Sequence, residues 1–388
     1  MKIVLAGGGS GGPVAPLLAI AEAIKKNNPE AKFLFIGTKK GEPEKEMIKN
    51  YNFFAKGGSA VRLSSPSKSS GGDFVGIFCG KLRRYLSWQN FLDIFKTKLG
   101  FFQSLFILIK FKPDLIIGAG GYVSVPVVLA GWFLKIPSLI HQQDILPTLS
   151  NKILSIFAKK ITVSFGPSLK DFPKNKTIFT GHPVRQFIFS GDRERAIKLF
   201  NLEKEKPVLV VLGGGTGAVS LNNLIWQNLG ELTKFCQVVH LTGKGKNQVT
   251  SYPAAAGPRL GGGQSPVTSY QAVEFLTKEI SDLFAVADVV ISRAGINVLA
   301  ELAVLGKATI IIPIPDSHQE ANARYFREKN AAVILNQKKL TSETLINEIK
   351  ELINNKEKRN QLSENIKKIV PPDASEKIVK EIFKLVIR

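Results

Sequence analysis

Three times along this chain a short apolar run ends in a cluster of glycines, and a helical pattern of apolar residues follows. Residues 2–6 (KIVLA) lead into GGGSGG at 7–12, residues 114–118 (DLIIG) into AGGY, and residues 207–212 (PVLVVL) into GGGTG at 213–217. A run that is apolar at nearly every position, rather than every second one, suits a strand covered on both faces, as in parallel sheets. Strand, tight glycine turn and helix in that order predict a doubly wound α/β sheet. Its recurrence in the second half predicts two Rossmann-like domains in tandem. Further strands are expected at 32–37, 138–141, 160–163, 237–241, 289–292 and 309–312, with helices at 16–26, 123–134, 221–229, 297–305 and 319–329.

The length of 388 residues fits two domains of ordinary size. We place the first at 1–165, a Pro- and Gly-containing linker at 166–186 and the second at 187–372. A C-terminal helix at about 373–388 is expected to pack back on the first domain. Residues 56–76, rich in Gly and Ser, and 251–266, rich in Gly, Pro and Ala, read as flexible surface insertions.

The glycines exclude as much as they suggest. Gly7, Gly9 and Gly12 satisfy GxGxxG, where glycine lets backbone approach an anion and the helix start supplies N–H groups. A dinucleotide site also needs an acid after the second strand, and that position reads Gly37-Thr38-Lys39, which argues against a nicotinamide cofactor. No GxxxxGK[ST] exists, which removes a P-loop NTPase, and no DxD triplet marks a metal-held sugar nucleotide. One glycine loop alone is most simply a tight turn. Three at strand ends suggest phosphates bound in a cleft between domains. No metal or organic cofactor is expected.

Lys and Arg outnumber Asp and Glu by 53 to 31, a formal charge of +22. This favours phosphorylated substrates, an anionic membrane surface or nucleic acid, and a lysine-rich solvated surface explains it equally well. No nucleic-acid module is recognisable. Cys79 and Cys236 form no CxxC and fit a reducing compartment. The N-terminal run is too short for a signal peptide, and no stretch of 18 apolar residues suggests a membrane span. Residues 85–111 mix aromatics, leucines and lysines, as a surface lying at lipid headgroups would. A core helix with snorkelling lysines has the same composition.

The ordered blocks GGGSGGPVAP, GAGGYVSVP, HQQDILPTLSNK, GHPVR, LGGGTGA, SRAGINVLAELAVLGKATIIIPIP, HQEANA and PPDASE resemble the MurG family over nearly the whole chain, apart from the two insertions. The resemblance implies a GT-B fold and a metal-independent, inverting transfer of N-acetylglucosamine from UDP-N-acetylglucosamine to undecaprenyl-diphospho-N-acetylmuramoyl-pentapeptide. It further implies a peripheral position on the cytoplasmic face of the cell membrane and other cell-wall synthesis proteins as partners. In the donor site it implies that Glu301 holds the ribose hydroxyls and that the Leu276 backbone reads the uracil. Ile296, Asn297, Val298, Leu299 and Ala300 line the α-phosphate and ribose. Gln319 contacts sugar hydroxyls, and Arg185 contacts the donor. Ser10, Gly11 and Gly12, with Gly120, Gly121 and Tyr122, match loops assigned to the acceptor diphosphate. Phe95, Phe101 and Trp132, rimmed by Lys81, Arg83 and Arg84, match a membrane-facing patch.

Three positions depart from the family pattern. Pro13 stands where a histidine is usual and can act neither as base nor as diphosphate ligand. Asp144 replaces a donor-contacting asparagine, and its carboxylate could take the acceptor hydroxyl's proton; a loop-capping role is the plainer reading. Gly215 replaces a serine, leaving Thr216 or backbone N–H groups to serve the phosphate. Two other readings stay open: a lipid glycosyltransferase with another acceptor such as diacylglycerol, and a non-catalytic nucleotide-sugar binder.

Overall fold

The computed structural model describes residues 1–41, 44–49, 51, 74–80, 88–213, 218–247 and 269–386, with backbone alone for 88–92. The chain divides into two compact units, one of Met1–Arg185 with Pro372–Arg388 and one of Gln186–Pro371.

In the first unit seven strands form one sheet: β1 (Lys2–Ala6), β2 (Lys32–Thr38), β3 (Phe74–Ile77), β4 (Leu115–Gly118), β5 (Ser138–Gln142), β6 (Lys160–Val163) and β7 (Thr177–Phe179). Their spatial order is β3-β2-β1-β4-β5-β6-β7, and every pairing is parallel. Ile3 through Ala6 are buried without exception, as a central strand covered on both faces requires. Helices α1 (Gly11–Asn27), α2 (Glu44–Lys49), α3 (Trp88–Phe111), α4 (Ser124–Phe133) and α5 (Leu149–Phe157) make the crossovers.

The second unit repeats the plan. After α6 (Arg193–Leu199) come β8 (Val208–Leu212), α7 (Val219–Gln227), α8 (Leu229–Leu232), β9 (Gln237–Leu241), β10 (Tyr270–Val273), α9 (Ile280–Val286), β11 (Val289–Ser292), α10 (Ile296–Leu305), β12 (Thr309–Ile311), α11 (Gln319–Glu328), β13 (Val333–Ile334), α12 (Ser342–Asn354) and α13 (Lys356–Lys367). The sheet order is β10-β9-β8-β11-β12-β13, again all parallel. Strand order reverses between β1 and β4 in one unit and between β8 and β11 in the other. Loops leave in opposite directions there and open a crevice at the carboxyl ends of the strands, where ligands bind in such sheets.

The last helix, α14 (Ala374–Val386), belongs to the first unit. Ile378, Val379 and Ile382 enter the core formed by β1 and α1, and buried Glu381 bridges Lys160 of β6 at 3.0 Å and Lys384 at 2.6 Å.

Some expectations are revised. Residues 74–76, placed in a flexible insertion, open β3, where the Phe74 ring stacks on Phe35 of β2 at 6.1 Å. The segment expected as a linker at 166–186 contains β7, which extends the first sheet, and two short 3-10 turns. Residues 56–73 and the insertion at 251–266 lie outside the described residues.

Candidate active site

In the first unit the loops after β1 and β4 are built against each other. Gly9 (φ 84°) and Gly121 (φ 74°) both adopt left-handed backbone. A Cβ on Gly9 would enter the Tyr122 ring, and one on Gly121 would lie 2.8 Å from the Gly8 carbonyl, so only glycine fits either position. Ser124, the first residue of α4, donates to Ala6 O or Gly120 O at 2.8 and 2.6 Å and so ties both loops to one hydroxyl. Ser10 precedes α1 in extended conformation and makes no side-chain cap hydrogen bond.

The loop after β5 joins this cluster. Gln143 donates to Ala119 O. Asn151, at the start of α5, donates to His141 O at 3.1 Å and Gln142 Oε1 at 2.8 Å. Gln142 in turn donates to Asp144 O and Leu146 O, both at 2.9 Å. The half-buried Asp144 is thereby carried on a loop pinned at its base, on the strand next to β4. Behind it a buried chain of polar groups runs Thr162–His141–Ser164–His182, with contacts of 2.9, 3.0 and 2.9 Å. Burial, reinforced by His182, holds the His141 pKa well below its usual value, so the ring stays neutral and keeps one donor and one acceptor nitrogen. The same chain anchors the segment that ends in half-buried Arg185.

One residue alters the expected phosphate cradle. Glu44, fully buried at the start of α2, accepts the Gly9 N–H at 2.7 Å and the Thr38 hydroxyl at 3.0 Å, while its Oε2 has no partner. The Gly9 amide therefore already serves a carboxylate and does not face an incoming phosphate. Ser10, Gly11 and Gly12 follow at the start of α1, and Gly120, Gly121 and Tyr122 lie in the loop that packs against them. The carboxylate missing directly after β2 reaches the first glycine loop from six positions beyond Thr38.

In the second unit, Ile296, Asn297, Val298, Leu299, Ala300 and Glu301 form the first turns of α10, directly after β11 at the switch point. Glu301 is buried, 3% exposed, which excludes an idle surface charge. Gln319 begins α11, and its Oε1 accepts the N–H groups of Ala294 and Ile314, both at 3.2 Å. Its carbonyl is thus committed to the loops after β11 and β12, which leaves its amide nitrogen for a ligand. Buried Asn322, one turn along, donates to Ala294 O at 3.1 Å and completes the clamp. Leu276 lies half-buried just past β10, three strands from β11, or roughly 14 Å along the row of strand ends at ~4.8 Å per strand. Gly215 and Thr216 lie outside the described residues.

An apolar face also stands out. Phe95, Leu99, Phe102, Phe106 and Ile109 are exposed along α3, with Trp132 and Phe133 at the end of α4 and Ile156 on α5. Helical spacing brings the α3 residues onto one side. Phe101, expected in this patch, is instead half-buried and packs on the core. Its ring meets Phe102 and Phe133 edge-on at 5.5 and 6.3 Å. Lys81, Arg83 and Arg84 lie outside the described residues.

Glu44, Ser124, Asn151 and Asn322 were not singled out from sequence. Ser124, Asn151 and Asn322 sit inside quoted motif blocks, but only the fold shows that their side chains hold backbone.

Two parallel Rossmann-like sheets in tandem, each with its loops gathered at a switch point, are the two domains of a GT-B fold. Solved structures of similar fold include MurG of Acinetobacter baumannii (TM-score 0.69, 22% identity, 99% of each chain). Another is UDP-GlcNAc 2-epimerase from Neisseria meningitidis bound to UDP-GlcNAc (TM-score 0.68, 14% identity, 99% of this chain and 100% of that one). Residues 3–163 match the glycosyltransferase family 28 N-terminal domain and residues 208–378 its C-terminal domain. The chain belongs to glycosyltransferase family 28. Its relatives include proteins named UDP-N-acetylglucosamine--N-acetylmuramyl-(pentapeptide) pyrophosphoryl-undecaprenol N-acetylglucosamine transferase. That of Clostridium botulinum is 36% identical over 92% of this chain and 90% of its own, and that of Lachnospira eligens is 35% identical over 97% of each.

Proposed function

We propose that this protein transfers N-acetylglucosamine from UDP-N-acetylglucosamine to undecaprenyl-diphospho-N-acetylmuramoyl-pentapeptide, the step that completes the lipid-linked disaccharide of peptidoglycan. The observation that carries this reading is the identity of 35–37% with transferases of that name, spread over more than nine-tenths of the chain. The retained Glu301 and Gln319 at the second unit's switch point support the donor half.

The chemistry is a direct displacement. An acceptor sugar hydroxyl attacks the anomeric carbon, its proton passes to a base, and the carbon–oxygen bond to the β-phosphate breaks with its electron pair on UDP. Asp144 is the proposed base. It is a carboxylate on a pinned loop beside the two glycine loops of the first unit, and Pro13 offers no alternative proton acceptor. Replacing Asp144 by Asn should lower kcat about 100-fold or more, the usual worth of a positioned base. Activity within a few-fold of wild type would remove Asp144 from that role. No metal is needed in this scheme: backbone amides, the α10 start and cationic side chains stabilise the leaving diphosphate.

The exposed apolar stripe of α3 and α4, with the strongly basic composition, supports peripheral attachment to an anionic membrane. No helix among the described residues is long and apolar enough to cross one. The deciding assay measures sugar transfer from UDP-N-acetylglucosamine to a short-chain analogue of the diphosphate lipid, and to diacylglycerol, with EDTA present. Transfer to the first alone is expected. No transfer to it, or dependence on added divalent metal, refutes the corresponding part of the reading.

A further inference from the structure

Arg293 follows β11 and is 5% exposed. Its guanidinium donates to Ile312 O at 2.9 Å and to the Ser220 hydroxyl at 2.7 Å, while its Nε is buried with no hydrogen-bond partner. Among the described residues no carboxylate forms an ion pair with it. Its backbone is held in place, because Gln319 and Asn322 clamp the next residue, Ala294, from both sides.

Ser220 is the second residue of α7, a helix of nine residues with no side-chain cap at Ala218. The guanidinium thus sits against a helix N-terminus, the end that already carries positive partial charge. A buried cation without a carboxylate is costly, and a helix start beside it adds to the cost. Charged groups in such places are normally paired. The missing partner is therefore an anion that is not part of the described chain. The location, between the carboxyl ends of β8 and β11, is the switch point of the second sheet.

We propose that Arg293 is the fixed counter-charge for the diphosphate of a nucleoside-diphosphate sugar, acting from beneath the site through Ser220 and the start of α7. It is a positioning residue and does not touch the reacting carbon. The inference rests on the nucleotide-sugar reading above and adds to it a residue whose charge distinguishes a diphosphate from a bare nucleoside. As UDP departs, its diphosphate gains negative charge, and a preorganised buried cation stabilises that state without reorganising.

The test is equilibrium binding of UDP and of uridine to the full-length protein and to Arg293→Met, Arg293→Gln and Arg293→Lys, with thermal melts to confirm folding. Wild type should prefer UDP strongly. In a folded Met or Gln variant UDP binding should weaken about tenfold or more, a free-energy change near 1.4 kcal/mol, while uridine binding stays within about twofold. Lys keeps the charge and should retain most of the preference. If UDP and uridine weaken together, Arg293 only props up the loops and the proposal fails. It also fails if a folded neutral variant keeps the full preference for UDP, or if Lys loses it as completely as Met. Should both neutral variants fail to fold, the Lys variant still decides, by whether UDP raises its melting temperature more than uridine does. Wild type that binds no UDP at all refutes the nucleotide-sugar reading itself, a different outcome from any of these.

Discussion

The apolar stripe on α3 offers the most direct quantitative test of the proposed membrane attachment. Phe102 is 66% exposed and Phe106 59% exposed, four residues apart on one helix face. A phenylalanine presents about 200 Å² of surface, so each of these leaves roughly 120–130 Å² in water. At ~25 cal/mol per Å² full immersion is worth about 3 kcal/mol per ring. A helix lying among headgroups immerses its apolar face in part, and half of that area leaves about 1.5 kcal/mol each. The double variant Phe102→Ser/Phe106→Ser should therefore lose about 3 kcal/mol of membrane binding, roughly 100-fold in partition coefficient at ~1.4 kcal/mol per decade. Because neither ring belongs to the buried core, the thermal midpoint should move by little. Co-sedimentation with vesicles containing anionic lipid, read against UDP binding in solution, separates the two effects. Unchanged partition in a folded double variant, with UDP affinity intact, would refute membrane contact through this face.

Other predictions follow from buried polar groups. His240 is buried, and its pKa is pushed down to about 4 by burial, so the folded state holds the ring neutral. The sign follows: the unfolded chain takes up a proton near pH 6.5 and the folded one only near 4. Stability is thus full above about pH 6.5 and falls by ~1.4 kcal/mol per unit as pH drops through that window. Urea melts at pH 7 and 5 should differ by about 2 kcal/mol from this residue, and His240→Gln should remove that difference if the mechanism is right. Glu44→Ala frees the Gly9 N–H and the Thr38 hydroxyl in a buried place and should cost about 1–3 kcal/mol. Glu44→Gln, which keeps an acceptor, should cost less; equal costs for the two would contradict the hydrogen-bond account. In the reaction itself, Glu301→Ala should raise KM for UDP-N-acetylglucosamine about tenfold or more with a smaller change in kcat. An unchanged KM would remove Glu301 from donor binding.

The fold was legible because its signals are local. Strands buried on both faces are apolar throughout, as KIVLA and PVLVVL are, and a helix start after a glycine turn leaves the same mark wherever it occurs. β3, β7, β10 and β13 lacked that mark. They are short, two to four residues each, lie at the sheet edges, and are only partly buried, so fewer of their positions had to be apolar. In the site, the glycine loops were read from the strand ends, and Glu301 and Gln319 from the resemblance to the family blocks.

Sequence alone determined the architecture, two tandem parallel sheets with glycine loops at their strand ends, and the family blocks that lead to a sugar transferase. Those features depend on neighbours within a few positions, and a linear pattern records them. Tertiary structure decided which polar groups remain for a substrate. It set Glu44 against Gly9, 35 positions away, and turned Gln319 Oε1 onto two backbone amides. It also left the Arg293 guanidinium beside the α7 start with no carboxylate among the described residues. Hydrogen bonds and charge pairs form between residues brought together by packing, and a glutamate or arginine has the same place in the sequence whether its charge is matched by the chain or kept for a ligand.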